Sequence, residues 1–218
     1  GGYHIIALLL FIPISVKLGS SQIDLKKYSK ISIVLVSLTI TIFLSRIYRS
    51  VLPSSTHEEI VWKDLKNLFD KMQWRFGVFE KEKHIESSFE IDKDISSTFH
   101  YMIYNENHHC RTLVANKYPT HLTSNIFILA SHFNNLLQTG RVKINVDDQY
   151  IEYHTKCDLL LPLLYPGELR SQITRHYDVS KDIYWAFQKL IFENEEPPII
   201  IADLLKMKET EKKNLTDD

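Results

Sequence analysis

The chain is poor in the residues that announce most chemistries. Its 218 residues hold two cysteines, Cys110 and Cys157, and six scattered glycines. Two distant cysteines make no disulfide framework and no CxxC metal knuckle. They read as separate thiols in a reducing compartment, with a single long-range disulfide as the alternative. The glycines form neither GxGxxG nor GxxxxGK[ST], so no phosphate-cradling loop is present. GxSxG and HExxH are missing too. The formal net charge is -1, which lacks the basic excess of a nucleic-acid binder. These absences lead to the expectation of no enzyme, no cofactor, no metal and no nucleic-acid partner.

Hydrophobic residues make up 44% of the chain, enough for a sizeable core. Two charge-free runs stand at the front, Gly1 to Val16 and Ile31 to Ser45, ended by Lys17 and Arg46. Both are apolar on all sides, unlike the striped helices of a soluble domain. They fall short of the about 20 residues that cross a bilayer core of about 30 Å. Snorkelling by Lys17, Lys30 and Arg46 narrows the gap, and Tyr28 and Tyr48 sit where interfacial tyrosines are found. Residues 1–52 are therefore expected to form a transmembrane helical hairpin, with these five residues as interface anchors and the lipid bilayer as a partner. One span, or two buried helices, are the alternatives.

Residues 53–207 read as one α+β domain, and 208–218 as a charged disordered tail. Ser55 or Thr56 caps a first amphipathic helix through about Gln73. Strand-like pieces follow at Trp74–Phe79, Ile85–Ile91, Phe99–Tyr104 and Arg111–Ala115, with turns at Asp92-Lys93-Asp94 and Asn105-Glu106-Asn107. Together they predict an antiparallel meander with one solvated face. A helix over Leu122–Leu137 comes next, ended by Gly140, and then a hairpin of Val142–Val146 and Tyr150–His154. Helical segments are predicted over Glu168–Tyr177, Ser180–Phe192 and Ile199–Lys206. Local antiparallel pairing without βαβ alternation indicates α+β.

From Ile60 to Lys206 this order resembles the YbjN family, a group similar to type III secretion chaperones and described as sensory transduction regulators. The most specific stretches are Ala130-Ser131-His132-Phe133-Asn134-Asn135-Leu136-Leu137, then Gly140-Arg141-Val142-Lys143-Ile144-Asn145-Val146, then Tyr150-Ile151-Glu152-Tyr153. Leu65 to Trp74 and Asp182-Ile183-Tyr184-Trp185 match more weakly. The resemblance implies a secretion-chaperone-like fold that binds partner polypeptides, often as a dimer, with no catalytic residues. The front hairpin and the run Leu159-Leu160-Leu161-Pro162-Leu163-Leu164-Tyr165 depart from the family pattern.

Candidate partner-binding residues are Trp74, Asn134, Asn135, Tyr165, Tyr184 and Trp185, since aromatics dominate interfaces. Each aromatic has an alternative as core, and the asparagines as helix caps. Asn107-His108-His109-Cys110 resembles a zinc cluster, with His100 or His121 in support, yet neighbours on a strand point to opposite faces. His154 with Asp158, and His176 with Asp178, read as surface pairs. Asn214-Leu215-Thr216 matches a glycosylation acceptor by chance.

The expected function is thus a membrane-anchored, non-enzymatic protein-binding module of adaptor or chaperone type. Its partner would be a membrane protein or a second copy of the chain. The alternatives are a structural accessory subunit of a respiratory, photosynthetic or translocation complex, and a His-based metalloenzyme. Basic residues in the inter-helix loop favour a cytoplasmic loop. The unpaired cysteines and the family resemblance instead favour a cytoplasmic domain.

Overall fold

The computed structural model describes residues 25–165 and 167–214, and the chain divides into two units after Val51. The first unit contains α1 (Leu25–Ser50). Val34, Leu35, Leu38, Phe43 and Leu44 on it are each more than half exposed. Thr39, Thr41 and Ser45 return their hydroxyl protons to the carbonyls of Leu35, Ser37 and Ile42. Among the described residues no helix is long and apolar enough to cross a membrane, so the expected transmembrane hairpin is unsupported. Length is the physical reason: the charge-free run from Ile31 to Ser45 spans roughly 22 Å at about 1.5 Å per residue, short of a hydrocarbon core of about 30 Å. The first run and Lys17 lie outside the described residues. Tyr28, Lys30 and Arg46 fall on α1 with side chains outside what is described, and Tyr48 is exposed.

The second unit is an α+β domain. It opens with α2 (Ser54–Met72), closed by Gln73 in the left-handed conformation, with the Trp74 amide donating back to the Phe69 carbonyl at 3.2 Å. Four strands follow: β1 (Phe76–Phe79), β2 (His84–Asp92), β3 (Ile95–Tyr104) and β4 (Asn107–Ala115). The turns fall where expected, at Lys93-Asp94 and Asn105-Glu106. Both residues of the latter have positive φ, as a tight two-residue hairpin demands. Then come α3 (Thr123–Leu136), β5 (Arg141–Asn145), β6 (Tyr150–Asp158), α4 (Leu160–Leu164), α5 (Glu168–Glu193) and α6 (Pro197–Asn214).

The six strands form one antiparallel sheet in the order β1-β2-β3-β4-β6-β5. Strict alternation on β4 sends His108, Cys110, Thr112 and Val114 inward and His109, Arg111 and Leu113 outward. Phe99, Tyr101 and Ile103 of β3 and Ile151 and Tyr153 of β6 share the inner face. Helices pack on that face in two apolar groups. One holds Trp62, Leu65 and Phe69 of α2 with Ile85, Phe99, Tyr101 and Leu163. The other holds Ile126, Leu129 and Phe133 of α3 with Ile151, Tyr153, Ile200 and Leu204. α5 contributes Leu169 and Ile173 to the first and Ile183, Phe187 and Leu190 to the second.

Two elements exceed their sequence reading. α5 is one 26-residue helix with no break near Asp178. α6 runs on through Asn214, so the segment expected to be disordered is helical that far; Lys208 pairs with Asp182 at 2.8 Å and with Glu211 at 3.2 Å.

Gly140 leads into β5 with φ of 82°, and a Cβ there would meet the His154 carbonyl oxygen at 2.6 Å and the Tyr153 hydroxyl at 2.8 Å. Gly140→Ala is expected to lower stability by about 1–3 kcal/mol. Chemical denaturation checks this, and an unchanged midpoint would contradict the assigned approach of β5 to β6.

Candidate functional site

The α+β unit has a cleft of about 510 Å³ between the end of α3, the inner side of β6, α4 and α5. Its position follows from the chain's local geometry. β6 outruns its edge partner β5, so Thr155 and Cys157 at its far end have β4 on one side and no strand on the other. Leu136 and Leu137 close α3 at one wall, and Leu161 of α4 stands at another.

The floor is polar. His176 of α5 is bonded on both ring nitrogens, to the Thr112 hydroxyl at 2.7 Å and the Thr155 hydroxyl at 3.0 Å. Ser180, one turn on, donates to the His176 carbonyl at 2.7 Å. His108 Nδ1 lies 2.8 Å from Gln172 Oε1, an acceptor, so this nitrogen carries the proton. Nε2 is then the acceptor, with Cys110 Sγ at 3.7 Å. The Gln172 amide donates to Cys157 Sγ at 2.8 Å and, more weakly, to Glu168 at 3.4 Å. Arg175 completes the row on Glu168 at 2.6 Å.

Burial sets the charge states. It pushes His108 down to about 4 and His176 down to about 3, so both are neutral imidazoles. It pushes the Cys110 thiol up to about 12. Cys157 rises to about 11, from burial first and then from the carboxylates of Glu168 and Asp158. Nucleophilic attack needs the thiolate. The cleft therefore presents a protonated thiol beside neutral, hydrogen-bonded imidazoles. Both cysteines are free.

The rim is apolar on one side. Leu136 (52% exposed) and Leu161 (42%) line the mouth, and Tyr165 (59%) lies a turn from Leu161. Lys156, Glu168, Arg175 and Asp178 supply the charged part of the rim.

The partner-binding candidates from the sequence do not converge here. Tyr165 is near the rim. Trp74 packs edge-on between Phe69 and Phe89, at 5.1 and 5.3 Å. Tyr184 and Trp185 are half-buried on α5 and face a second groove shared with Leu204 and Met207 of α6. Asn134 caps a strand edge. Its amide donates to the Val142 carbonyl at 3.1 Å, and the Val142 amide donates to its oxygen at 2.7 Å. Asn135 is exposed.

The histidine pairs read from sequence separate as well. His154 faces the outer side of the sheet and bonds Glu152 at 2.8 Å, away from Asp158. His176 points inward, away from Asp178. His108 and Cys110 point into the core, while His109 stacks on Tyr104 on the outer face at 3.9 Å. Among the described residues, the ligand atoms that do converge, within 4.8 Å of one another, are those of His84, Glu86 and His100. Sequence reasoning named His100, but beside Asn107-His108-His109-Cys110, and missed His84 and Glu86, which join it only through strand pairing; the spacing His84-x-Glu86 was the legible signal.

No family model and no curated protein matches the chain. Among solved structures, YbjN from E. coli is similar with a TM-score of 0.43 at 8% identity, over 56% of this chain and 87% of that one. The ExsC–ExsE complex gives 0.40 at 11%, over 56% and 92%. The Yersinia pestis type III secretion chaperone SycH, in complex with a stable fragment of YscM2, gives 0.34 at 12%, over 53% and 96%.

Both buried histidines are neutral in the fold and return to an ordinary value of 6.5 when exposed. The unfolded chain then binds the extra protons, so their contribution is complete above pH 6.5 and is lost as pH falls toward 4. The expected slope is at most about 1.4 kcal/mol per pH unit for each histidine. Denaturation midpoints across this window should show it, and His176→Gln should reduce the slope, leaving the part due to His108.

Proposed function

We propose that the α+β unit is a non-enzymatic module that binds a polypeptide segment of a protein partner in the α3–β6–α5 cleft. The observation that carries this is the pairing of exposed leucines at the mouth with hydrogen-bonding groups on the floor. Leu136 and Leu161 offer apolar area to desolvate, while Gln172, Thr155 and Cys157 keep acceptor lone pairs that fix orientation. A volume of about 510 Å³ accommodates one or two anchoring side chains, with the rest of the segment lying along the rim.

The test is a photo-crosslinking residue placed at Leu161 in the native cell. It is expected to capture a defined polypeptide, and a crosslinker at the distant, exposed Phe192 is not. Leu136→Asp in the same chain should remove the capture while leaving thermal unfolding unchanged. Capture that survives this substitution would move the binding site elsewhere.

A second reading concerns α1. Its exposed apolar side chains favour burial, either at a membrane surface or against helices of a larger membrane assembly, which would make the chain a tethered adaptor or an accessory subunit. On this reading the α+β unit lies on the cytoplasmic side, where its free thiols stay reduced. The full chain is then expected to float with lipid vesicles and residues 52–218 to remain behind. Equal behaviour of the two would remove α1 from any anchoring role.

A further inference from the structure

We propose that His84, Glu86 and His100 form a binding site for a divalent transition-metal ion, of which zinc fits the ligand set best, on the open face of the sheet. This does not depend on the cleft, which lies on the other side of β4 and β6.

The register builds the site. His84 and Glu86 are two apart on β2 and so share a face, and Glu86 is directly opposite His100 on β3. His84 Nε2 and His100 Nδ1 stand 3.0 Å apart. Glu86 Oε2 is 3.8 Å from the same His100 nitrogen. Zinc bonds of about 2.0–2.1 Å in a tetrahedron set ligand atoms roughly 3.3 Å apart. The two distances that meet at His100 straddle that spacing, all three ligand atoms lie within 4.8 Å of one another, and the half-exposed Glu86 is free to close the difference. Two imidazoles and a carboxylate, with the solvent side left for water, is an open zinc-type donor set.

The surroundings suit neutral ligands. The His84 ring is stacked on Phe79, centroids 5.0 Å apart at 17°, which fixes its orientation. Burial, first among the causes, holds both histidines below their ordinary value, so they are neutral. The one proton in their 3.0 Å hydrogen bond moves to the other nitrogen of its ring when an ion takes both lone pairs. The opposing feature is Arg111, which faces His100 from β4. Glu152 lies 3.5 Å from its guanidinium Nε and draws part of that charge away. Glu86 and Glu82 supply negative charge at the ion's position.

The test is a titration of metal-stripped full chain with Zn²⁺ against a chromophoric chelator, repeated with Co²⁺ for its absorption spectrum. One ion per chain is expected, at micromolar dissociation constant or tighter. His84→Asn and His100→Asn should each weaken binding by at least about tenfold. His109→Asn and His154→Asn, on the same sheet face, should leave it unchanged. Zinc should also raise the melting temperature of the parent chain and not that of His84→Asn, and all variants should melt alike in chelator. The proposal is overturned if no ion binds in the micromolar range, if binding survives His84→Asn, or if His109→Asn or His154→Asn weakens it equally.

Discussion

Everything in the α+β unit hangs on how α5 lies across the inner face of the sheet. The helix is 26 residues long, about 39 Å at 1.5 Å per residue, and packs against β2, β4 and β6 as well as α3 and α6. Its inward stripe is apolar at both ends and polar in the middle, through Gln172, His176 and Ser180. The polar middle meets the polar middle of the sheet, Thr112 and Thr155, with His108 beside it. Buried polar groups lose about 1–3 kcal/mol each when a partner is removed. Sliding α5 by one turn would strand several of them together, so these hydrogen bonds fix the register of the helix on the sheet.

That register gives the cleft its character. Because Gln172 must reach His108, it also reaches Cys157, and Glu168 comes with it to hold Arg175. The same burial that keeps the imidazoles neutral keeps the thiols protonated. A structural requirement of the core thus extends to the floor of the cleft, where it provides hydrogen-bonding capacity without reactive charge. The leucines at the mouth are left over from elements whose other faces are buried. Leu136 ends α3 one turn beyond the buried Phe133, and Leu161 sits beside the buried Pro162 and Leu163.

The sheet handles its exposed features by a different means. The edge of β5 is blunted by Asn134, whose amide takes both polar groups of Val142 as a neighbouring strand would, and this hinders unwanted edge pairing. The outer face collects four histidines, His84, His100, His109 and His154, with Arg111, Glu86 and Glu152 among them. Only the two on adjacent strands β2 and β3 bring nitrogens into contact.

Local features of the sequence determined a good part of this fold. The turns at Lys93-Asp94 and Asn105-Glu106, the β5–β6 hairpin and the stripe of α3 follow from backbone preferences and periodicity that act over a few residues. So does the divergence of His108 from His109, which alternation alone dictates. The length shortfall of the run from Ile31 to Ser45 was also legible, and snorkelling does not make an apolar helix longer. What tertiary structure decided is every pairing across distance. His108 and Gln172, and Thr112 and His176, are 64 residues apart. His84 and His100 are 16 apart. Asn134 read as a helix cap or a partner contact until β5 came to lie beside it. α5 read as two pieces, Glu168–Tyr177 and Ser180–Phe192, and only its neighbours on β4 and β6 made its polar middle a buried seam. The physical reason is common to all of these. Periodicity assigns a side chain to a face, while strand register and helix placement, set by packing of the whole core, assign it a partner.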